Sequence, residues 1–151
     1  MHLRTVSRQI IPFPEGIVLL YLTIMKEKNE ELARTVRKWD SIGAFIGDVC
    51  ARFGAHVVKV EGSLTRSSDI FAFTLSTCMW CTLGKRWLGE KGFAYRYLDV
   101  DMIPVEGKNQ MKAELRELTG EHVRFPYLVL VDKNKCHSGY DPSAWEEVLG
   151  G

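Results

Sequence analysis

The chain has 151 residues, 46% of them apolar and 26% charged, with 20 basic against 19 acidic side chains. This length suits one ordinary domain with an appendage or two very small ones, and the composition excludes a disordered or fibrous chain. A formal net charge of +1 sets up no field that would favour nucleic acid or an anionic membrane as a partner. The four cysteines, at positions 50, 78, 81 and 136, are too few and too scattered for a disulfide scaffold and point to a reducing, cytoplasmic compartment.

Near the N-terminus, residues 17–25 read IVLLYLTIM behind Arg4 and Arg8. Nine apolar residues cannot cross a hydrocarbon core, which takes about 20 in a helix. The charged run from Lys26 to Glu30 stands where a secretory signal needs small residues. No membrane association is therefore expected. Met25 offers an alternative start, which would make the segment before it a dispensable extension.

Over about 26–54, Leu32, Val36, Trp39, Ile42, Ile46, Val49 and Phe53 recur in steps of three and four, which predicts one amphipathic helix, weakened near Gly43 and Gly47. Its apolar stripe is expected to pack on the rest of the chain or on a second copy, with Cys50 beside it as a small buried hydrophobe. A short strand at 56–60 (HVVKV) follows. The polar stretch 61–69 (EGSLTRSSD) then marks a boundary between an N-terminal extension, 1–67, and a domain, 68–151.

Beyond the boundary the pattern becomes regular. Residues 70–75 (IFAFTL) read as a buried strand, followed by a helix that opens at the cysteines and ends near Gly92, and by an alternating strand at 93–100. A second helix over 104–119 carries Met111, Leu115 and Leu118 on one face and closes at Gly120. A strand at 127–131, a turn at 132–134 and a short strand at 135–138 precede a last helix, with Asp141 as N-cap, Pro142 at its first position, and Trp145, Val148 and Leu149 inward. The order βαβαββα predicts an α/β fold with a mixed four-stranded sheet, in which a crossover joins a parallel pair and a hairpin closes the end.

The chemistry is concentrated in Cys78-Met79-Trp80-Cys81, placed after a strand and at the start of a helix. There a thiolate meets unpaired N–H groups and the positive end of the helix dipole, which lowers a cysteine pKa from about 8.5 to roughly 3.5–7.5. Cys78 is then the nucleophile. Cys81, one turn further in, is placed to attack the mixed disulfide. A structural zinc knuckle competes for the same pair but needs two more ligands, and Cys136 with His137 is the only other couple available to complete a set. Lys85 and Arg86 read as a solvated face, Trp87 and Leu88 as core, Asp99 and Asp101 as a polar strand end. His2, His56, His122 and His137 show no metal-site spacing, so no metal is expected.

From Ser76-Thr77-Cys78-Met79-Trp80-Cys81, through Phe125-Pro126-Tyr127, to Ser138-Gly139-Tyr140-Asp141, the chain resembles the glutaredoxins and glutaredoxin-like redoxins of the thioredoxin superfamily, over about 69–149. The resemblance implies a thioredoxin-like fold and reversible dithiol-disulfide exchange, with a cis Pro126 facing the cysteines and the Phe125 backbone presenting the substrate. It places Thr77, Met79, Trp80 and Tyr140 around the same site. It implies no resident cofactor, disulfide-bearing proteins as substrates, and thioredoxin reductase or glutathione as the electron source. Glutathione-using members typically carry Thr-Val-Pro and a Gly-Gly pair followed by an acidic residue. This chain instead has Arg124-Phe125-Pro126 and a single Gly139 before Tyr140 and Asp141, which is more similar to members reduced by thioredoxin reductase. Two other readings stand beside exchange: an iron-sulfur scaffold in which Cys78 from two chains holds a cluster with a small thiol, and an adaptor that docks through its N-terminal helix.

Overall fold

The structure, a computed structural model, describes residues 15–36, 39–64, 68–104 and 107–150, and side chains in the first helix only as far as residue 29. His2, Arg4 and Arg8, and the side chains of Leu32 and Val36, lie outside the described residues. The chain divides into two compact units, Met1–Lys38 and Trp39–Gly151.

In the first unit, α1 (Glu15–Val36) takes in the apolar run, and Ile17, Leu19, Leu20, Tyr21 and Leu22 are each more than half exposed. Among the described residues no helix is long and apolar enough to cross a membrane. The single helix expected over 26–54 is in fact two. A second helix, α2 (Ile42–Phe53), starts afresh because Ser41 is extended and its Oγ accepts a hydrogen bond from Ala44 N at 3.1 Å, satisfying one of the free amides of a new first turn. Gly43 and Gly47 do not interrupt it.

The second unit is built on a sheet. Its strands are β1 (Val57–Val60), β2 (Ile70–Thr74), β3 (Tyr95–Asp99), β4 (Tyr127–Leu130) and β5 (Lys135–Ser138), and between them run α3 (Met79–Glu90) and α4 (Gly107–Thr119), with α5 (Pro142–Gly150) last. The spatial order is β1-β3-β2-β4-β5. As expected, β2 and β3 are parallel across α3, and β4 with β5 is an antiparallel hairpin. The sheet has five strands rather than four, because β1 pairs antiparallel with the outer edge of β3, Val57 opposite Leu98 and Val60 opposite Tyr95. In β1 Val57 and Val60 are half-buried while Val58 and Lys59 are exposed, as befits a strand with the sheet on one side alone.

Every residue of β2 and β4 is buried. Such unbroken apolar runs are what a strand covered on both faces requires. Alternation sends Phe71 and Phe73 to one face, where they meet Ile42, Phe45, Ile46 and Val49 of α2 and Met111 and Leu115 of α4. On the opposite face Ile70, Leu128 and Leu130 meet Leu88 of α3 and Trp145 and Leu149 of α5. The result is three layers. Consequently α2 and β1, assigned from the sequence to the extension, form part of one core layer and of the sheet.

The last helix starts as its sequence dictates. Asp141 Oδ1 accepts from Ser143 N and Ala144 N at 3.1 and 3.2 Å, and Pro142 fills the first helical position.

Candidate active site

Strand β2 delivers the chain to the cysteines. Thr74, the polar end of an otherwise apolar strand, is fully buried, and its hydroxyl donates to Asp99 Oδ1 at 2.6 Å. Leu75 to Thr77 then turn the chain, Cys78 N donating to Leu75 O at 3.3 Å. The turn is tied from outside by Asp101, whose carboxylate accepts from both the amide (2.9 Å) and the hydroxyl of Ser76. The Ser76 hydroxyl, with its amide, holds the Asp101 carboxyl below its ordinary range.

Cys78 occupies the N-cap of α3, extended at φ −86° and ψ 120°, with its Sγ accepting from Cys81 N at 3.4 Å. It is half-buried, whereas Cys81 is wholly buried and accepts at Sγ from Leu75 N at 3.4 Å. Burial, reinforced by a hydrogen bond with Cys78, pushes the Cys81 thiol up to about 12. The two sulfurs of one motif therefore sit in opposite surroundings: one at a helix end with a donor aimed at it, the other neutral beneath it. Between them Met79 and Trp80 are mostly exposed.

The wall facing this helix end comes from the loops around β4 and β5. The Phe125-Pro126 peptide bond is cis, as the resemblance implies, with Pro126 buried and Phe125 half-buried. Gly139, at φ +84°, donates its N–H to both Arg124 O (3.2 Å) and Pro126 O (3.0 Å), a close approach at a dihedral that favours glycine. Ser138 Oγ accepts from Arg124 N at 2.7 Å and donates to His122 O at 2.6 Å. Beneath, Gly84 of α3 lets the helix lie against Trp145: a Cβ there would come 2.8 Å from the indole and 3.3 Å from Pro126. The indole N–H of Trp145 in turn donates to Gly139 O at 3.1 Å.

These loops enclose a surface groove of about 480 Å³ lined by Trp80, Arg124, Phe125, His137, Ser138 and Tyr140, among others. The rings of Trp80 and Tyr140 lie 6.4 Å apart. Of the residues expected at the site, Trp80, Phe125 and Tyr140 are thus brought together, while Pro126 is buried against Gly84 of α3 and does not line the groove. Thr77 is exposed in the turn and Met79 on the first turn of α3, and neither lines the groove.

His137 and Ser138, which line the groove, were not singled out individually for it by the sequence reading. A histidine in a short edge strand carries no signal of its own, although the Ser138-Gly139 turn does. Lys85 corrects an expectation. It is not a solvated residue: its Nζ pairs with Asp99 at 3.1 Å and lies 3.7 Å from the centre of the Tyr97 ring. Asp99 accordingly joins α3 to β2 through Thr74 rather than standing at a free strand end. Trp87 is half-buried rather than core and packs on Phe93 and Trp145, while Leu88 is fully buried.

Cys50 is half-buried against the Arg96 guanidinium at 3.5 Å, and Cys136 faces Val129 across the β4–β5 hairpin. Burial raises both thiols. Among the described residues no group of three or more His, Cys, Asp or Glu could hold a metal ion.

Residues 70–134 match the glutaredoxin family model. Among solved structures, the glutaredoxin of Methanosarcina mazei Go1 is 25% identical, with a TM-score of 0.52 over 64% of this chain and 89% of its own. The methanoredoxin of Methanosarcina acetivorans is 28% identical, with a TM-score of 0.47 over 56% of this chain and 88% of its own. No curated protein matches the chain. The chain thus has a thioredoxin-like fold, and residues 70–134, which carry the cysteine pair at the start of α3 and the cis Pro126 against Gly84 of the same helix, are similar to the glutaredoxins.

Proposed function

We propose that this chain is a thiol-disulfide oxidoreductase that reduces protein disulfides through Cys78 and Cys81. The observation that carries the reading is the asymmetry of the pair: Cys78 is accessible at the N-cap of α3 with Cys81 N–H donating to its sulfur, and Cys81 is buried and protonated directly behind it. A backbone donor and the N-terminus of α3 both face the outer sulfur.

In the reaction, the Cys78 thiolate attacks one sulfur of the substrate disulfide and expels the other as a thiolate, forming a mixed disulfide. Cys81 then loses its proton and attacks Cys78 Sγ, which releases the second substrate thiol and leaves a Cys78–Cys81 disulfide. Two electrons and two protons pass from the protein dithiol to the substrate, and the pair supplies both electrons itself. Phe125 and Pro126 form the ledge along which the substrate chain lies, with Trp80 and Tyr140 flanking it. Thr77 and Met79 border the mouth from the helix side. A second dithiol exchange, driven by thioredoxin reductase or by glutathione, returns the pair to its reduced state. The Arg124-Phe125-Pro126 loop and the single Gly139 favour thioredoxin reductase.

The test is insulin reduction by wild type and Cys78→Ser, driven in parallel by NADPH with thioredoxin reductase and by glutathione with its reductase. Activity that vanishes in the variant and is sustained by thioredoxin reductase alone supports the whole reading. Equal activity in the variant would remove the chemistry from this pair. In Cys81→Ser, a mixed disulfide with substrate is expected to accumulate and to be visible by intact-protein mass.

A further inference from the structure

Beside the groove lies a second and larger surface cleft, about 620 Å³, between α4 and the loop that leads to β4. Its floor is Val123 and its rim carries Lys112, Arg116 and His122, with Glu117 the one carboxylate among the lining residues. Arg116 and His122 are exposed, and among the described residues neither Lys112 nor Arg116 forms an ion pair; their neighbour Glu114 is already taken by Arg52 at 3.0 Å and by Gln110 at 3.1 Å. The Lys112 ammonium lies 5.4 Å from the centre of the Phe125 ring. Phe125 also lines the groove, so that ring is where the groove and the Lys112 rim of the cleft meet. Arg124, exposed next to it, continues the positive charge into the groove.

From this continuity and this charge we infer that the cleft between α4 and the β4 loop docks an acidic segment of the protein substrate, one that flanks its disulfide. The inference rests on the exchange reading above and adds to it the class of substrate. A peptide chain running along Phe125 with its disulfide at Cys78 reaches Lys112 within a few residues, since extended chain advances about 3.3 Å per residue. Carboxylates there meet two cations that pair with no carboxylate among the described residues, and whose long side chains can follow the peptide without disturbing the fold. Charge complementarity of this kind acts chiefly on encounter rate and partner choice, and is screened by salt.

Two disulfide peptides of one sequence test it, differing only in whether the segment beside the disulfide carries Asp and Glu or Ser and Gln. Full-length wild type and Lys112→Glu/Arg116→Glu are compared, using kcat/KM for both peptides and amide chemical shifts on adding a cysteine-free acidic peptide. In wild type the acidic peptide is expected to be preferred by roughly three- to tenfold at low ionic strength, the preference shrinking as salt is raised. The double reversal should cancel or invert that ratio, and shifts should centre on Lys112, Arg116 and His122. The same ratio in wild type and variant, or shifts that miss α4, would overturn the inference. Because the shift experiment needs no thiol chemistry, peptide binding at α4 without turnover would fault the exchange reading and leave the docking site standing.

Discussion

Asp101 is exposed, yet its carboxylate ties the turn before Cys78 through two bonds from Ser76. Asp101→Asn is expected to slow disulfide reduction about three- to tenfold while barely moving the melting temperature, since exposed polar contacts contribute little to stability but here set the position of Cys78, the proposed nucleophile. Because the folded carboxyl is held low, its contribution is complete above the ordinary carboxylate pKa of about 3.9 and disappears as pH falls through the folded value. Acid titration of unfolding should therefore show a slightly steeper loss below about pH 4 in wild type than in the variant. Cys81 behaves in the opposite sense. Its thiol is raised to about 12, so its contribution is intact below the unfolded thiol pKa of about 8.5 and is lost as pH climbs from there through the folded value. Denaturant titrations at pH 7, 9 and 10.5 should show a decline in wild type that Cys81→Ala lacks. Gly84→Ala sets a third expectation: a Cβ 2.8 Å from Trp145 overpacks the joint beneath Pro126, for a loss of about 1–3 kcal/mol in a chemical melt. The cysteine motif could be read in the sequence because its function depends on spacing along the chain. The Ser76–Asp101 and Thr74–Asp99–Lys85 links could not, because each joins residues well apart in sequence that meet only once β2 and β3 lie side by side.

At the level of elements, the strands of the sheet's centre were legible in their unbroken apolar runs, and α5 in its Asp-Pro start. The connection of α2 to the core was half legible. The stripe of Ile42, Ile46 and Val49 declared that something covers it, but the pattern ran on through Trp39 and hid the new start at Ser41. Nor could HVVKV, with only Val57 and Val60 half-buried and the rest exposed, be distinguished by alternation from a surface segment. The structure gives these elements a testable weight. Removing residues 1–38 should leave a cooperatively melting chain with the sheet intact. Removing 1–67 takes away Ile42, Phe45, Ile46 and Val49, all buried, and at about 1.5–3 kcal/mol each this is comparable to the whole stability of an ordinary domain. Circular dichroism melts of the two truncations decide the matter: a cooperative transition in residues 68–151 comparable to that of 39–151 would show α2 to be dispensable.

For the molecule as a whole, β1 does more than fill out the sheet. It is short and carries Lys59 and Glu61 at its outer end, mostly exposed and paired at 3.1 Å, and such charges discourage another strand from adding to an edge. Without β1, the five-residue β3 (Tyr95–Asp99) would present a row of unpaired N–H and C=O groups, flanked by Tyr95, Tyr97 and Leu98. A chain cut at residue 67 should therefore be self-associating as well as weak, growing in light scattering with concentration where the chain cut at residue 38 stays constant. Colloidal behaviour, and with it the concentration at which this unit stays unassociated, is on this view governed by four residues at the far edge of the sheet from the cis-proline loop.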